Sequence, residues 1–277
     1  MVYLQMAVAC TPLPSCLQST ISMRAQTVLL LIAAVASAQV AQVPLQHGQS
    51  TKRIAIIGMG AGGITSLRGL MTVPEHMRQG WEITAFDERE AVGGLWVPQD
   101  NPPAPPVLPD TPLYPGLRAN GAHITTTVPN VPLPPNTPLL APRAKVLEYW
   151  QGIYHATPLP PSHLYLQHSV IKAEWIGNSE RGWWKVTASD LISKANRSFA
   201  FDHLLVAPGV NRIPRIPYFE GQEEWIASGK IFFHCMWYRH PKPFTGKIVL
   251  LVGGGPSGLD LARRLPTVAR KVRNEIE

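Results

Sequence analysis

The chain has 277 residues, of which 45% are hydrophobic and 16% are charged, a balance typical of a globular protein and not of a disordered one. Its formal charge of +7 comes from 25 lysines and arginines that are scattered without a dense basic run. This distribution argues against a nucleic-acid partner, whereas a basic balance suits a protein that handles anionic dinucleotides.

The first segment, residues 1–38, has the character of a leader with a secretory signal. Residues 23–38 contain a positive start, an apolar block over residues 27–35 and the small-residue exit Ala36-Ser37-Ala38. We therefore expect cleavage after Ala38 and a secreted protein, with no stable membrane span. Anchoring in a membrane by the apolar block is the alternative.

Three further features bear on export. Cleavage would leave Cys235 as the single cysteine of the mature chain, so no disulfide could form within it. The tripeptide Asn196-Arg197-Ser198 is a sequon for N-glycosylation, which matters only in an exported protein. Because the signal begins at Met23, the true start of the protein is either Met1 or Met23.

After a linker over residues 39–51, a β-branched apolar run leads into the turn Gly58-Met59-Gly60-Ala61-Gly62-Gly63. In this G-x-G-x-x-G spacing the first glycine makes the bend from strand to helix and the second lets the backbone approach a pyrophosphate. The third lets the helix pack close to the strand. The phosphates rest on the helix N-terminus, whose free N–H groups favour negative charge. The pattern predicts a helix over residues 62–73, ended by Pro74.

The next predicted strand, residues 81–86, ends at Asp87. An acid at this position can accept hydrogen bonds from the ribose hydroxyls of an adenosine. The alternative is a solvated acid at the end of a strand.

Residues 98–142 carry 14 of the 28 prolines. Proline excludes long helices and central strands, so we expect an extended, ordered excursion over a scaffold. The alternative is a disordered linker. Five apolar residues favour order because they can be buried: Leu113, Tyr114, Leu117, Ile124 and Leu133.

Beyond the excursion, residues 144–156 predict a helix with one apolar face, formed by Val146, Tyr149, Trp150 and Ile153. Three strands are expected after it, over residues 165–170, 183–188 and 199–206.

A second turn of the same type, Gly253-Gly254-Gly255-Pro256-Ser257-Gly258, follows the apolar run at residues 247–252. We expect a helix over residues 259–271 after it and then the start of a strand. Two such turns, each between a strand and a helix, favour two dinucleotide sites.

Several motifs in this order resemble the flavin-containing monooxygenases, a family of class B flavoprotein monooxygenases, over residues 52–273. The motifs are Phe86-Asp87 followed by Gly93-Gly94-Leu95-Trp96, the segment at residues 113–120, the segment at residues 232–238, and the second glycine turn followed by Leu259-Asp260.

The resemblance implies an α/β fold with two dinucleotide-binding domains. These are a Rossmann-like FAD domain over residues 52–215 and a partial Rossmann-like NADP domain over residues 216–277. The FAD-binding residues would be Gly58, Gly60, Ala61, Gly62, Gly63, Asp87, Leu95, Trp96 and Asn120. The NADP-binding residues would be Gly253, Gly255, Ser257, Gly258 and Asp260. No metal is implied.

The activity implied by the resemblance is hydride transfer from NADPH to FAD, reaction with oxygen to a C4a-hydroperoxyflavin, and transfer of one oxygen atom to a soft nitrogen or sulfur nucleophile. The partners would be a small-molecule substrate and O2, and the oligomeric state stays open. Asn120 would be the catalytic residue near the reactive edge of the flavin. For His234 a packing role and a catalytic role stay open, and Cys235 is expected to be a small buried residue.

The family extends past Glu277, so we expect residues 246–277 to be poorly stabilised, with weak FAD binding and negligible turnover of NADPH. The alternative function is therefore a truncated FAD-binding fragment without catalytic activity. A Baeyer-Villiger oxygenase is a third candidate, and Tyr238-Arg239 argues against it.

Overall fold

The computed structural model describes residues 51–275, which fall into two compact units: a first unit over residues 51–243 and a second unit over residues 244–275. The expected signal segment lies outside the described residues. The predicted fold class is confirmed, because both units contain parallel strands that alternate with helices. In the part of the chain that the structure describes, no helix has both the length and the apolar character needed to cross a membrane.

The first unit is built on a four-stranded parallel sheet in the order β3-β2-β1-β7. Its strands are β1 (Lys52–Ile57), β2 (Trp81–Phe86), β3 (Leu164–Tyr165) and β7 (His203–Val206). In the pairing register Ile57 lies beside both Phe86 and Val206. The carboxyl ends of three strands are therefore level, and the residues that follow them meet at one edge.

Helix α1 (Ala61–Thr72) follows β1 and ends before Pro74, close to the predicted bounds. A single turn, α2 (Glu75–Arg78), then leads into β2. Helix α4 (Arg143–Ala156) buries Tyr149, Trp150 and Ile153 as expected. A short helix, α5 (Gln222–Ala227), lies near the end of the first unit.

An antiparallel sheet in the order β4-β5-β6 accompanies the parallel one. Its strands are β4 (His168–Gly177), β5 (Gly182–Asp190) and β6 (Asn196–Phe201). The two sheets share a core, whose fully or nearly fully buried members are Ala55, Phe86, Val186, Ala188 and Phe201.

Two predicted strands were wrong in extent, because each one is divided between the two sheets. The strand expected over residues 165–170 is interrupted at Gln167, whose φ of 54° is left-handed and ends the extended backbone. The strand expected over residues 199–206 is interrupted at Asp202, which bonds to Arg53 of β1 instead of continuing the antiparallel pairing. At each of these two breaks the chain passes from one sheet to the other.

The proline-rich excursion is ordered, as predicted. Of residues 98–142, four form one helical turn, α3 (His123–Thr126), and Arg118 and Pro142 form an isolated bridge. Four of its five apolar residues are buried as expected: Leu113, Tyr114, Leu117 and Leu133. The fifth was wrong, since Ile124 is 70% exposed. His123 and Thr126, three residues apart on α3, line a cavity, and Ile124 lies on another face of the turn.

The second unit contains the parallel pair β8 (Ile248–Val252) and β9 (Lys271–Glu275), joined through helix α6 (Pro256–Arg264). The helix expected over residues 259–271 was wrong at both ends. Pro256 suits the first helical turn, where its missing N–H costs nothing. Pro266 cannot donate to the helix, which gives way to a tighter turn at Leu265–Thr267.

Candidate functional site

A cavity of about 940 Å³ opens at the edge where β1, β2 and β7 end. Its lining comes from the first glycine turn, the residues after β2 and β7, the Gly93-Gly94-Leu95-Trp96 turn, the excursion and α4. Cofactor and ligand sites typically measure about 300 to 1,000 Å³, so this cavity is at the large end of that range.

The first glycine turn has the geometry that its spacing predicts. A Cβ atom added at Gly63 would lie 1.8 Å from the carbonyl oxygen of Gly58, so no other residue fits there. The turn also packs tightly against the G-G-x-W turn, because a Cβ atom on Gly94 would lie 2.6 Å from the Cα of Gly60. The two turns together form one wall of the cavity.

The N-terminus of α1 opens into this cavity. Gly60 precedes the helix, no side chain of the described residues caps it, and its first turn contains no acid. Gly60, Ala61 and Gly62 all line the cavity. The first N–H groups of a helix have no partner within it, and together with the helix dipole they form a site for an anion such as a pyrophosphate.

Asp87 is not a solvated acid, because only 5% of it is exposed. Its Oδ2 accepts a hydrogen bond from the backbone N–H of Met59 at 2.6 Å, and its Oδ1 accepts one from the N–H of Arg89 at 2.8 Å. The Arg89 guanidinium lies 3.8 Å from Oδ1. The carboxylate thus holds the glycine turn in place. Since a carboxylate offers about four acceptor positions, it retains capacity for ribose hydroxyls.

Sequence reasoning missed a second polar group beside Asp87. Glu88 Oε2 pairs with Arg212 Nη1 at 2.9 Å, and Glu88 Oε1 accepts a hydrogen bond from Ser169 at 2.7 Å. Both Glu88 and Arg212 line the cavity. They are 124 positions apart in the sequence, so no local motif could have indicated the pair.

The excursion and α4 also contribute to the lining of the cavity. Leu95 and Trp96, which the resemblance assigns to FAD binding, line the cavity. Tyr149 of α4 accepts a hydrogen bond from the N–H of Val128 and donates one to the carbonyl of Val131, both at 2.7 Å. Burial raises the pKa of Tyr149 although the bond from Val128 opposes it, so the phenol keeps its proton and can donate. This tyrosine fastens the excursion to the helix.

Asn120, the predicted catalytic residue, lies on the excursion between two residues that line the cavity, Ala119 and Gly121. Its own side chain is exposed and is not part of the lining. The structure thus brings Asn120 to the rim of the cavity.

The segment at residues 234–239 also borders the cavity, to which it contributes Met236. His234 Nδ1 accepts a hydrogen bond from the N–H of Met236 at 3.2 Å. Burial lowers the pKa of His234, which keeps the ring neutral and Nδ1 able to accept. Cys235 is buried, as expected. In this structure His234 is a cap for the turn Cys235–Trp237.

The predicted NADP-binding residues lie in the second unit. Helix α6 follows Gly255, and no side chain of the described residues caps it. Ser257 is 5% exposed, and a Cβ atom added at Gly258 would lie 2.2 Å from the carbonyl oxygen of Gly253. Asp260 accepts a hydrogen bond from Arg264 at 2.7 Å. Within residues 51–275 no group of three or more His, Cys, Asp or Glu side chains could hold a metal ion.

Comparison with known proteins adds an independent line of evidence. A model of the FMO-like family, described as flavin-binding monooxygenase-like, matches residues 51–274. Human flavin-containing monooxygenase 2 is 28% identical over 226 residues, which are 80% of this chain and 39% of that protein. The thiol-specific monooxygenase of Saccharomyces cerevisiae is 28% identical over 227 residues, which are 82% of this chain and 49% of that protein.

The chain therefore spans about two fifths to one half of the length of these relatives. Among solved structures, that of S-allyl-L-cysteine S-oxygenase from Allium sativum matches with a TM-score of 0.69 at 21% identity. The match covers 81% of this chain and 51% of that one. At this level of identity the likeness establishes a shared fold.

Proposed function

The chain belongs to the flavin-binding monooxygenase-like family, and from this premise we propose that it binds FAD in the cavity of its first unit. We further propose that it takes part in the NADPH-dependent transfer of one oxygen atom to a soft nitrogen or sulfur nucleophile. The family uses FAD and NADPH and acts on small substrates with O2. The observation that carries the proposal is the N-terminus of α1, which no side chain of the described residues caps and which opens into the cavity beside the buried Asp87.

The residues present fit FAD. The N–H groups of Ala61 and Gly62 would hold the pyrophosphate, and the free acceptor positions of Asp87 would hold the adenosine ribose. Leu95 and Trp96 would contact the cofactor further along the cavity. The close approach of Gly60 and Gly94 leaves backbone, and no side chain, beside the phosphates.

When bound, FAD would supply the redox chemistry between NADPH, oxygen and the substrate. The protein would position the cofactor and the substrate, and it would exclude water from the cavity. Leu133, Ala141 and Trp150 give the cavity an apolar wall, and such a wall keeps water from reactive species. Asn120 would supply an amide donor at the rim. We assign the second turn, with Gly255 and the buried Ser257, to NADP.

Sulfur compounds are the first substrates to test. Two of the relatives above are named for reactions on sulfur, one for thiols and one for S-allyl-L-cysteine. Small thiols and thioethers are therefore tested together with tertiary amines, their nitrogen counterpart.

The direct test is to load the purified chain with FAD, to mix it anaerobically with NADPH and to follow the flavin absorbance. The proposed activity requires bleaching at about 1 per second or faster, and oxidation of a thioether once O2 is admitted. The negligible NADPH turnover expected from the sequence is the competing outcome. FAD binding without bleaching would leave the alternative, an FAD-binding protein without catalytic activity. Failure of the folded chain to bind FAD would refute the proposal. A Gly255→Val variant should bind FAD but lose the bleaching.

We also propose that the chain is exported, on the basis of the signal-like segment at residues 23–38. A structural feature supports this: Asn196 of the sequon is exposed at the start of the edge strand β6. N-terminal sequencing of secreted protein should begin at Gln39, and an endoglycosidase should change its mobility unless Asn196 is replaced by Gln. Recovery of only intracellular, full-length protein would refute export, and retention in the membrane fraction would favour anchoring by residues 27–35.

A further inference from the structure

A buried arginine outside the cavity lining, Arg239, bonds to two separate parts of the excursion. Only 6% of it is exposed. Its Nε donates to the carbonyl of Gln99 at 2.7 Å and its Nη2 to the carbonyl of Thr111 at 2.8 Å. Its Nη1 donates to the carbonyls of Met236 and Tyr238 at 2.9 and 2.7 Å. One guanidinium therefore satisfies four backbone carbonyls.

These bonds connect two segments that line the cavity, and a further hydrogen bond reaches a third. Thr111 lies between the lining residues Asp110 and Pro112, and Met236 lines the cavity itself. The Thr111 hydroxyl in turn donates to the carbonyl of Leu95 in the G-G-x-W turn. A continuous path of hydrogen bonds thus runs from Met236 through Arg239 and Thr111 to Leu95.

Two neighbours reinforce the same connection. The indole N–H of Trp237 donates to the carbonyl of Val107 at 3.1 Å. The ring of Tyr238 meets the ring of Tyr114 edge to face, with 4.8 Å between their centroids. The segment at residues 234–239 is therefore bound to the excursion at several points. Arg239 alone among these contacts bonds to the excursion at two places, Gln99 and Thr111.

The chemistry of the side chain explains why an arginine stands here. Burial lowers the pKa of Arg239, and the nearby charge of Arg143 lowers it further. The surroundings therefore disfavour the charged form of the guanidinium. Its hydrogen-bond partners among the described residues are carbonyls. A proline-rich loop has few backbone partners of its own, and buried carbonyls without partners are costly. The planar fork has five donors and can satisfy all four of these carbonyls, whereas an ammonium has three donors.

We propose that Arg239 is a positioning residue for the cofactor cavity. Through its hydrogen bonds it fixes the positions of residues 109–112 and of the G-G-x-W turn relative to Met236. It does not contact the cofactor itself. This inference rests on the proposed function, because it assumes that FAD occupies the cavity. Arg239 should therefore affect how tightly and how uniformly the flavin is held, beyond any effect on stability.

The experiment compares Arg239→Met and Arg239→Lys with a matched control, Arg118→Met. Arg118 lies in the same excursion, is exposed and makes one hydrogen bond to a carbonyl, that of Leu140, at 3.2 Å. For each variant we would measure FAD affinity, the visible circular dichroism of bound flavin, and the rate of proteolysis of residues 98–142 without FAD. Urea unfolding gives the free energy of unfolding of each variant, and from it the fraction that is folded without urea.

We expect Arg239→Met to bind FAD about 10- to 100-fold more weakly, because several buried carbonyls lose their donor. Its flavin dichroism should be weakened and its excursion cut faster, also without FAD. Arg239→Lys should recover part of the affinity, and Arg118→Met should match the wild type. If Arg239→Met does not fold, Thr111→Val breaks the same path at the hydroxyl, and it should weaken FAD binding and alter the dichroism to a smaller degree.

Wild-type FAD affinity and dichroism in Arg239→Met, with only a lower urea midpoint, would overturn the inference. Full recovery in Arg239→Lys would also overturn it, because charge and not the fork would then be what matters. If the wild-type chain binds no FAD, the proposed function fails. Proteolysis of the cofactor-free variants then still decides whether Arg239 holds residues 109–112 in place.

Discussion

The two glycine turns of this chain have the same local geometry in different surroundings. In both, a Cβ atom on the last glycine would collide with the carbonyl oxygen of the first, at 1.8 Å for Gly63 and 2.2 Å for Gly258. In both, a helix follows whose N-terminus is not capped by any side chain of the described residues. The G-x-G-x-x-G spacing thus gives the same turn at both places in this chain.

The surroundings differ in how many strands flank the turn. Strand β1 lies between β2 and β7, and its Ala55 and Ile56 are 0% exposed. Within the described residues β8 pairs with β9, and its Ile248 and Leu250 are 55% and 52% exposed. Among residues 51–275 the first turn alone has neighbouring strand ends on both sides, and these supply the buried acid and the walls. The comparison teaches that the motif encodes a turn and that its neighbours make it a site.

The largest expected effect is on the stability of the first unit, which a substitution in the first turn should reduce and one in the second turn should not. Gly63→Val should destabilise the first unit by about 3 kcal/mol or more, because the new side chain has no room beside the Gly58 carbonyl in a fully packed sheet. Gly258→Val meets a similar clash beside an exposed strand, and it should leave the unfolding of the first unit unchanged. Urea unfolding followed by tryptophan fluorescence measures both. If both variants reduced the stability of the first unit equally, the proposed difference between the two turns would be wrong.

A smaller effect concerns the two acids near the turns. Asp87→Ala leaves the Met59 N–H buried without its acceptor, which should cost about 1 to 3 kcal/mol in stability and weaken FAD binding. Asp260→Ala removes a partly exposed pair with Arg264, which should cost about 0.5 kcal/mol and leave FAD binding unchanged. Calorimetry of both variants checks this. An Asp87→Ala protein with wild-type stability would show that the carboxylate does not hold the turn.

The smallest effect tests how β1 is held between its neighbours, and it depends on pH. Asp202 accepts hydrogen bonds from the backbone N–H and the guanidinium of Arg53. Burial raises the pKa of Asp202, but the bonds and charge of Arg53 outweigh it and hold the pKa below the usual 3.8. Its stabilisation is therefore present above that pH and lost as the pH falls through the lower, folded value.

Asp202→Asn should accordingly cost about 1 kcal/mol at neutral pH, a figure reduced for the partial exposure of the pair. The difference from the wild type should shrink below about pH 4. Glu148→Gln, in an exposed pair with Lys145, is the control and should show little change at either pH. A difference for Asp202→Asn that is the same at all pH values would contradict the linkage.

Local sequence patterns predicted the parts of this molecule that local geometry decides. The turns, the bounds of β1 and β2 and the ordered excursion follow from glycine spacing, β-branched runs and proline content. The breaks at Gln167 and Asp202 could not be predicted in the same way. Asp202 bonds to Arg53, which lies 149 positions away, and no periodicity marks such a contact.

The site shows the same division. Gly60 and Asp87 were predictable because a fixed spacing relates them to the strand ends. Arg239 was not, because all four of its acceptors are backbone carbonyls, which every residue carries. The exposure of Ile124 was missed because a single helical turn can present only one face to the cavity, and an apolar residue in the sequence does not reveal which face it occupies.

An FAD titration by isothermal calorimetry on the wild-type chain, Gly60→Val and Gly255→Val tests most directly whether FAD binds at the first glycine turn. We expect one FAD per wild-type chain and an affinity at least about 100-fold lower in Gly60→Val, since two charge-assisted hydrogen bonds to the pyrophosphate would be lost. Gly255→Val should bind FAD as the wild type does. FAD affinity that is unchanged in Gly60→Val, or lost only in Gly255→Val, would contradict the assignment of FAD to the first turn.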